Sequence, residues 1–135
     1  MSYSIDEIEG IGPTYAAKLG EVGIKTTEAY LERAKDPKGR KALEEETGID
    51  GKRILKWANM ADLMRISGVG EEYSELLEAA GVDTVKELKH RNAANLAEKM
   101  QEVNEAKKLV RQLPSESQVT KWVDQAKELP PMMTY

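Results

Sequence analysis

The sequence predicts an all-α protein built around a repeated unit, and three observations support this fold class. A glycine-containing pattern occurs twice, 58 positions apart. Apolar residues recur at helical spacing through most of the 135-residue chain. No stretch alternates apolar and polar residues convincingly enough to form a strand. We therefore expect a tandem repeat of short helices, with additional helices and a C-terminal helix.

The repeated pattern joins a Gly-apolar-Gly turn to a short amphipathic helix. Residues 8–26 and 66–84 share seven of nineteen aligned positions, which in the first copy are Ile8, Gly10, Gly12, Tyr15, Leu19, Gly23 and Thr26. Glycine permits backbone conformations that other residues disfavour, so each turn can be very tight. Pro13 suits the first position of the helix, and Gly23 follows its last apolar residue. Two short helices are therefore expected to meet at each turn.

The remaining elements also carry helix signals. Ser4 with Glu7, Thr84 with Glu87 and Ser115 with Gln118 are spaced as capping boxes. After the first copy of the pattern, helices are expected to begin at Thr26, at Pro37 and at Asp50 or Gly51, the last being the longest. After the second copy, they are expected at Thr84, near Asn92, around Leu109 and after Ser115. Pro130 and Pro131 end the last helix, and residues 132–135 are expected to form a loose tail.

The aromatic residues fit a packed core better than a surface platform. Trp57 and Trp122 lie on apolar stripes, which is more typical of core residues than of nucleobase stacking. Tyr15 and Tyr73 occupy equivalent positions of the repeat, so a shared packing role is expected. The other three tyrosines are the candidates for exposure to solvent: Tyr3, Tyr30 and Tyr135.

The repeated residues resemble the helix-hairpin-helix motif, in which an apolar residue, a spacer and Gly-apolar-Gly precede a helix with an apolar face. The matching residues are Ile8, Gly10-Ile11-Gly12, Ala16 and Leu19, and then Ile66, Gly68-Val69-Gly70, Ser74 and Leu77. With residues 56–66 running directly into the second hairpin and a terminal helix that carries Trp122, the whole chain resembles an uncharacterised prokaryotic family of tandem helix-hairpin-helix proteins. That family has no established activity. The motif itself implies DNA binding without sequence specificity, through hairpin amides that contact backbone phosphates.

The expected organisation is a first repeat over residues 1–62, a second over 63–113, a C-terminal helix over 114–129 that packs on the repeats, and a tail over 130–135. An elongated and a compact arrangement are both compatible with the sequence. Hydrophobic residues make up 40% of the chain and charged residues 33%, which fits a folded protein rather than a disordered one. There is no cysteine, no apolar run long enough to span a bilayer and no signal-like N-terminus, so a cytoplasmic location without membrane contact is expected.

Charge decides which residues could contact a phosphate. Residues 5–24 hold one base against four acids, and residues 63–82 again hold one base against four acids. The second hairpin places Glu71 and Glu72 directly after Gly70, so Gly68 and Gly70 are expected to be structural. Basic residues are enriched instead in segments 33–56 and 86–111. The candidate nucleic-acid-binding residues are Gly10, Gly12, Thr14, Lys18, Lys52, Arg53 and Lys56.

Other chemistry has little support in the sequence. His90 is the only histidine and lies between a lysine and an arginine, which is typical of a surface position. Glu44, Glu45 and Glu46 are consecutive in a helix, so their side chains cannot converge on one metal ion. The chain has no nucleophile elbow, no phosphate-binding lysine loop and no zinc-ligand spacing. We expect a protein that is not an enzyme and has no catalytic residue, cofactor, metal site or small-molecule substrate.

Two functional hypotheses follow. The first is a non-catalytic module that binds DNA through the Gly10–Gly12 hairpin and Lys18, with RNA an open alternative. The second is an interaction or scaffold protein whose acidic hairpins contact a basic protein surface. That surface would be either another protein or the basic segment of a second copy of this chain. The repeated hairpin favours the first hypothesis, and the net charge of −4 favours the second.

Overall fold

The computed structural model describes residues 3–135, and this part of the chain is all-α, as the sequence predicts. A 3-10 helix at Ile5–Glu7 is followed by eight α-helices within the described residues. They are α1 (Pro13–Glu21), α2 (Thr27–Ala34), α3 (Pro37–Thr47), α4 (Gly51–Leu63), α5 (Glu71–Ala79), α6 (Val85–Leu88), α7 (Ala93–Lys107) and α8 (Glu116–Glu128). The 3-10 helix before α1 is shorter than the α-helix that the repeat pattern predicts there.

Side-chain caps explain most of the helix starts. The hydroxyl oxygen of Thr26 accepts a hydrogen bond from the Ala29 amide at 3.1 Å, and the Asp36 carboxylate accepts one from Gly39 at 2.7 Å. The same kind of cap is made by Thr84, Asn92 and Ser115. Each cap satisfies an amide that has no partner within its own helix. The predicted starts near these residues are confirmed.

Two expectations for the helices are wrong. The longest helix is α7, with 15 residues, rather than α4, with 13. No helix forms around Leu109, because Lys108 adopts a left-handed conformation with φ of 53° and ends α7. The Asn104 side chain then bonds both backbone groups of Val110, at 3.0 and 3.3 Å. Val110 is buried from a loop, so its apolar character reflects packing rather than helical periodicity.

The buried apolar side chains form two cores. The first core is built from α1 to α4 and the residues that precede them, and the second from α5 to α8. α4 and α8 contain 13 residues each and play the same part in their cores. Trp57 of α4 lies against Gly10 and the Tyr15 ring, and Trp122 of α8 lies against Gly68 and the Tyr73 ring. The predicted core position of both tryptophans is confirmed, and so is the shared packing role of the two half-buried tyrosines.

The C-terminal helix therefore packs as the last helix of the second core. All four of its buried side chains, Val119, Trp122, Val123 and Ala126, belong to that core. The sequence-based division at residues 62, 113 and 129 stays a prediction. Tyr30, by contrast, is not exposed: it is fully buried in the first core and its hydroxyl donates to the Ile54 carbonyl at 2.7 Å.

The last residues are not a loose tail. Met133 is buried in the first core, and the Thr134 amide donates to the Lys35 carbonyl at 2.8 Å. Arg40 donates to the Thr134 carbonyl at 2.7 Å, and the Tyr135 hydroxyl donates to the Asn59 side chain at 2.8 Å. The segment after α8 thus returns to the first core. Two consecutive prolines exclude a helix there but do not prevent an extended segment from docking.

Candidate nucleic-acid interface

The first glycine turn (Gly10–Gly12) and the second glycine turn (Gly68–Gly70) share one geometry. Gly10 has a φ of 96° and Gly68 a φ of 92°, a region that residues with a side chain rarely adopt. A Cβ atom on Gly10 would lie 3.1 Å from Nε1 of Trp57, and one on Gly68 would lie 3.3 Å from Nε1 of Trp122. Both the conformation and the close contact therefore require glycine at these two positions.

Gly12 and Thr14 lie exposed at the start of α1. The Gly12 carbonyl accepts the first helical hydrogen bond, from the Ala16 amide at 2.9 Å. The amides of Gly12 and Thr14 donate to no acceptor within residues 3–135. A Cβ atom on Gly12 would meet nothing within 4 Å, so the approach to these amides is open. Amides and the helix dipole at such a terminus favour an anion.

Two of the predicted basic residues meet beside this turn. The Tyr15 ring packs on Trp57 with their centroids 5.1 Å apart, and it carries a cation from each of two helices. Nζ of Lys18, on α1, lies 6.0 Å from the ring centroid, and Cζ of Arg53, on α4, lies 5.8 Å from it. Both distances are within the range of cation–π attraction. The ring thus holds two exposed cations directly after Thr14 in the chain, and the charge of Arg53 is partly offset by Asp50, whose carboxylate lies 3.9 Å away.

Lys52 and Lys56 do not join this pair. They line a groove of about 360 Å³ between α4 and α5, together with Glu78 and Asp83. Nζ of Lys56 lies 4.0 Å from the Glu78 carboxylate, so part of its charge is offset. Consecutive residues on a helix point about 100° apart, which separates Lys52 from Arg53 although they are neighbours in sequence. The sequence grouped all three bases of α4, and only Arg53 reaches the first turn.

The second glycine turn is acidic and lies beside the loop between α7 and α8. The Tyr73 hydroxyl donates to the Gln112 carbonyl at 2.9 Å, and Nε of Arg111 lies 4.0 Å from the Glu72 carboxylate. Both partners belong to that loop, while the space around Gly70 is as open as that around Gly12. The matching connection between α3 and α4 is only three residues long. Sequence reasoning missed these loop contacts, although the longer spacing between α7 and α8 was their signal.

Carboxylates from both turns lie near one another between the first glycine turn and α5. Interaction with the Glu9 carboxyl, and then burial, raises the pKa of Glu71 above its usual value. Burial and the charge of Glu9 also raise the pKa of Glu75. Glu9 directly precedes Gly10, so the first turn has a cationic side at Tyr15 and an acidic side at α5.

Between residues 3 and 135, no group of three or more His, Cys, Asp or Glu side chains is arranged to hold a metal ion. His90 is exposed, as predicted. No helix in the same range is both long and apolar enough to cross a membrane.

Comparison with known proteins identifies the family. No curated protein and no solved structure matches the chain. A family defined as a domain of unknown function matches residues 9–129, which span both cores and all eight helices. The expected membership of an uncharacterised family is therefore confirmed, and the chain belongs to the domain family DUF4332.

Proposed function

We propose that this protein is a non-catalytic helix-hairpin-helix module that binds the phosphate backbone of nucleic acid, without sequence specificity, at the first glycine turn. The observation that carries the proposal is the convergence of Lys18 and Arg53 on the Tyr15 ring beside the open amides of Gly12 and Thr14. Backbone amides and flexible cations contact phosphate oxygens without reading bases. Such a site supports binding to any sequence.

The charge of the rest of the chain limits the affinity. A net charge of −4 gives a polyanion no long-range attraction, and only two cations stand at the site. Each phosphate that is neutralised releases counterions, which is the main source of affinity for a non-specific binder. We therefore expect dissociation constants in the micromolar range and a measurable loss of affinity as salt rises.

The test is fluorescence anisotropy of labelled DNA titrated with the protein at about 50 mM and about 200 mM salt. A Lys18→Glu, Arg53→Glu double variant should lose at least about tenfold in affinity, because two phosphate contacts become repulsive. The matched control is Lys99→Glu with Lys121→Glu, which changes net charge equally at two exposed positions on α7 and α8. The affinity of the control variant for DNA should stay close to that of the unmodified protein.

Two results would refute the proposal. One is the absence of binding at the lower salt concentration, where electrostatic attraction is greatest. The other is an equal loss in the site variant and in the control variant, which would mean that net charge alone governs binding.

A second candidate function is contact with a basic protein surface, and the gathering of Glu9, Glu71 and Glu75 favours it. If that surface belongs to a second copy of this chain, the mass in solution should fall as salt rises and the screening length drops towards about 8 Å. Sedimentation measures this directly. A mass that changes with neither salt nor protein concentration would eliminate self-association.

A further inference from the structure

We propose that the part of the first core that holds residues 132–135 is a peptide-binding groove. Its partner in trans is the same C-terminal segment of a second copy of this chain. We call this part the tail groove; it is formed by Lys35, Arg40, Asn59 and the buried side chains around Met133. It shares no residue with the first glycine turn or its two cations, so the tail groove and phosphate binding can be tested separately.

The tail groove bonds both backbone groups of one residue of the segment. The Thr134 amide donates to the Lys35 carbonyl at 2.8 Å, and the Thr134 carbonyl accepts from Nη2 of Arg40 at 2.7 Å. Nη1 of Arg40 donates to the Ala34 carbonyl at 2.9 Å, which fixes the guanidinium for this contact. Main-chain bonds of this kind supply affinity for a peptide, and side chains on either side of them supply specificity.

The residues on both sides of Thr134 are also held by their side chains. Met133 is buried in the first core, with 7% of its surface exposed. The Tyr135 hydroxyl donates to the Asn59 side chain at 2.8 Å, and Cζ of Arg40 lies 5.5 Å from the centroid of the tyrosine ring. The tail groove therefore selects a large apolar residue two positions before an aromatic ring that carries a hydroxyl.

The connection from α8 allows the segment to change partners. It consists of Leu129, Pro130 and Pro131, and a proline has no amide whose hydrogen bond must break on release. Arg65 donates to the Pro130 carbonyl at 3.1 Å, at an exposed position. Consecutive prolines also keep a released segment extended. The same groove contacts form whether the segment comes from its own chain or from another, so two copies can exchange segments at little cost.

The length of the connection sets the concentration at which exchange appears. A short connection holds the segment near its own groove at an effective concentration in the millimolar range. The monomer is therefore favoured at micromolar protein, and exchanged dimers should appear as the concentration approaches about 1 mM. Because the contacts are apolar burial and short hydrogen bonds, exchange should not decline with salt as contact between acidic and basic surfaces does.

A labelled peptide of residues 129–135 tests recognition by fluorescence anisotropy. Tyr135→Ala removes one contact of the protein's own segment and leaves the tail groove intact. This variant should bind the peptide about tenfold more tightly than the unmodified protein, because competition in cis is weaker. Two control peptides, one with Met133→Asp and one with the same residues in scrambled order, should bind at least about tenfold more weakly than the unaltered peptide.

Cross-linking tests exchange between whole chains. The chain has no cysteine, so Lys35→Cys and Thr134→Cys can be placed in separate chains and mixed at about 1 mM. A short bismaleimide should join the two kinds of chain, because these positions meet when the segment of one chain lies in the tail groove of the other. In the control mixture, Glu98→Cys replaces Lys35→Cys at an exposed position on α7 and should give far less cross-linked product.

Three results would overturn the proposal. They are the absence of peptide binding to Tyr135→Ala, equal binding of the unaltered and scrambled peptides, and cross-linking no greater than in the control mixture. Each would mean that the segment is a fixed part of its own core. None of them would change the expectation for phosphate binding at the first glycine turn.

Discussion

Each tryptophan of this protein lies against the first glycine of a turn and against the tyrosine five residues further along. The distance from a Cβ atom built on the glycine to Nε1 of the tryptophan differs by only 0.2 Å between the two copies. The distance between the tyrosine and tryptophan ring centroids differs by only 0.1 Å. This repeated three-residue arrangement gives a physical reason for the glycine pattern. The backbone approaches the Nε1 edge of an indole ring, and a side chain on the glycine would meet that edge.

Substitution of Gly10 tests the arrangement. Gly10→Ala should lower the free energy of unfolding by about 1–3 kcal/mol, because alanine is strained at a φ of 96° and its Cβ would press on Trp57. Gly20→Ala is the control, since Gly20 lies within α1 with open space around it, and it should raise stability by about 0.5 kcal/mol. Urea unfolding followed by tryptophan fluorescence measures both. Equal effects of the two substitutions would contradict this account.

The carboxylates beside the first turn make stability depend on pH. The pKa of Glu71 is raised in the folded state, so folding stabilises its protonated form. This contribution is present below the unfolded-state pKa near 4.5 and is lost as pH rises through the higher folded-state pKa. Glu71→Gln should therefore raise stability at pH 7 by about 0.5 kcal/mol, a value reduced for exposure to solvent.

Urea unfolding at several pH values measures this effect. The gain from Glu71→Gln should shrink as pH falls below the pKa of Glu71. Glu98→Gln, on an exposed part of α7, is the control and should show no such trend. A gain that is constant with pH would mean that repulsion from Glu9 is not its cause.

At the scale of helices, the sequence predicts most of the elements but not all of their roles. Capping residues such as Thr26, Asp36 and Asn92 locate helix starts because each bonds a backbone amide three residues later. The equivalence of α4 and α8 was missed, because the longer connection before α8 shifts Trp122 out of the repeat spacing. Long-range packing, rather than local pattern, assigns α8 to the second core.

One buried carboxylate links α4 to α6, and so contributes to the join between the two cores. Asp62 is 1% exposed, accepts the Val85 amide at 2.8 Å and pairs with Arg65 at 2.7 Å. Asp62→Ala should cost about 2–3 kcal/mol, because it leaves a buried amide and a guanidinium without their acceptor. Asp50→Ala is a matched control, since Asp50 pairs with Arg53 at the same sequence spacing but at 3.9 Å and in solvent. Its cost should be below about 1 kcal/mol.

Thermal and urea unfolding of the two variants give the comparison. If Asp62→Ala proved no more destabilising than Asp50→Ala, the buried carboxylate would not be what joins α4 to α6.

At the scale of the whole molecule, the segment after α8 connects the second core back to the first. Arg65 donates to the Pro130 carbonyl at 3.1 Å, and Met133 fills a position in the first core. Met133→Asp should lower stability by more than about 2 kcal/mol, because it places a charge where apolar surface is buried. Met132→Asp, at a half-buried position, should cost less than half as much. Similar costs would indicate that Met133 does not anchor the segment.

The candidate site was only partly predictable from the sequence. Gly10, Gly12, Thr14 and Lys18 lie close together in sequence, so a turn and the helix that follows were sufficient to group them. Arg53 was chosen with Lys52 and Lys56, but its separation from them depends on the packing of α4 against α1 and α5. The contacts of Tyr73 and Glu72 beside the second turn are made by a loop that starts about 35 residues later in the chain.

The most direct test of the account records the amide spectrum of the protein by ¹H–¹⁵N NMR during titration with DNA at about 50 mM salt. The account predicts that the largest shifts occur at the amides of Gly12, Thr14 and Tyr15, with little change at Gly70 and Glu72. Largest shifts at the second turn, or a spectrum that does not change at all, would contradict it.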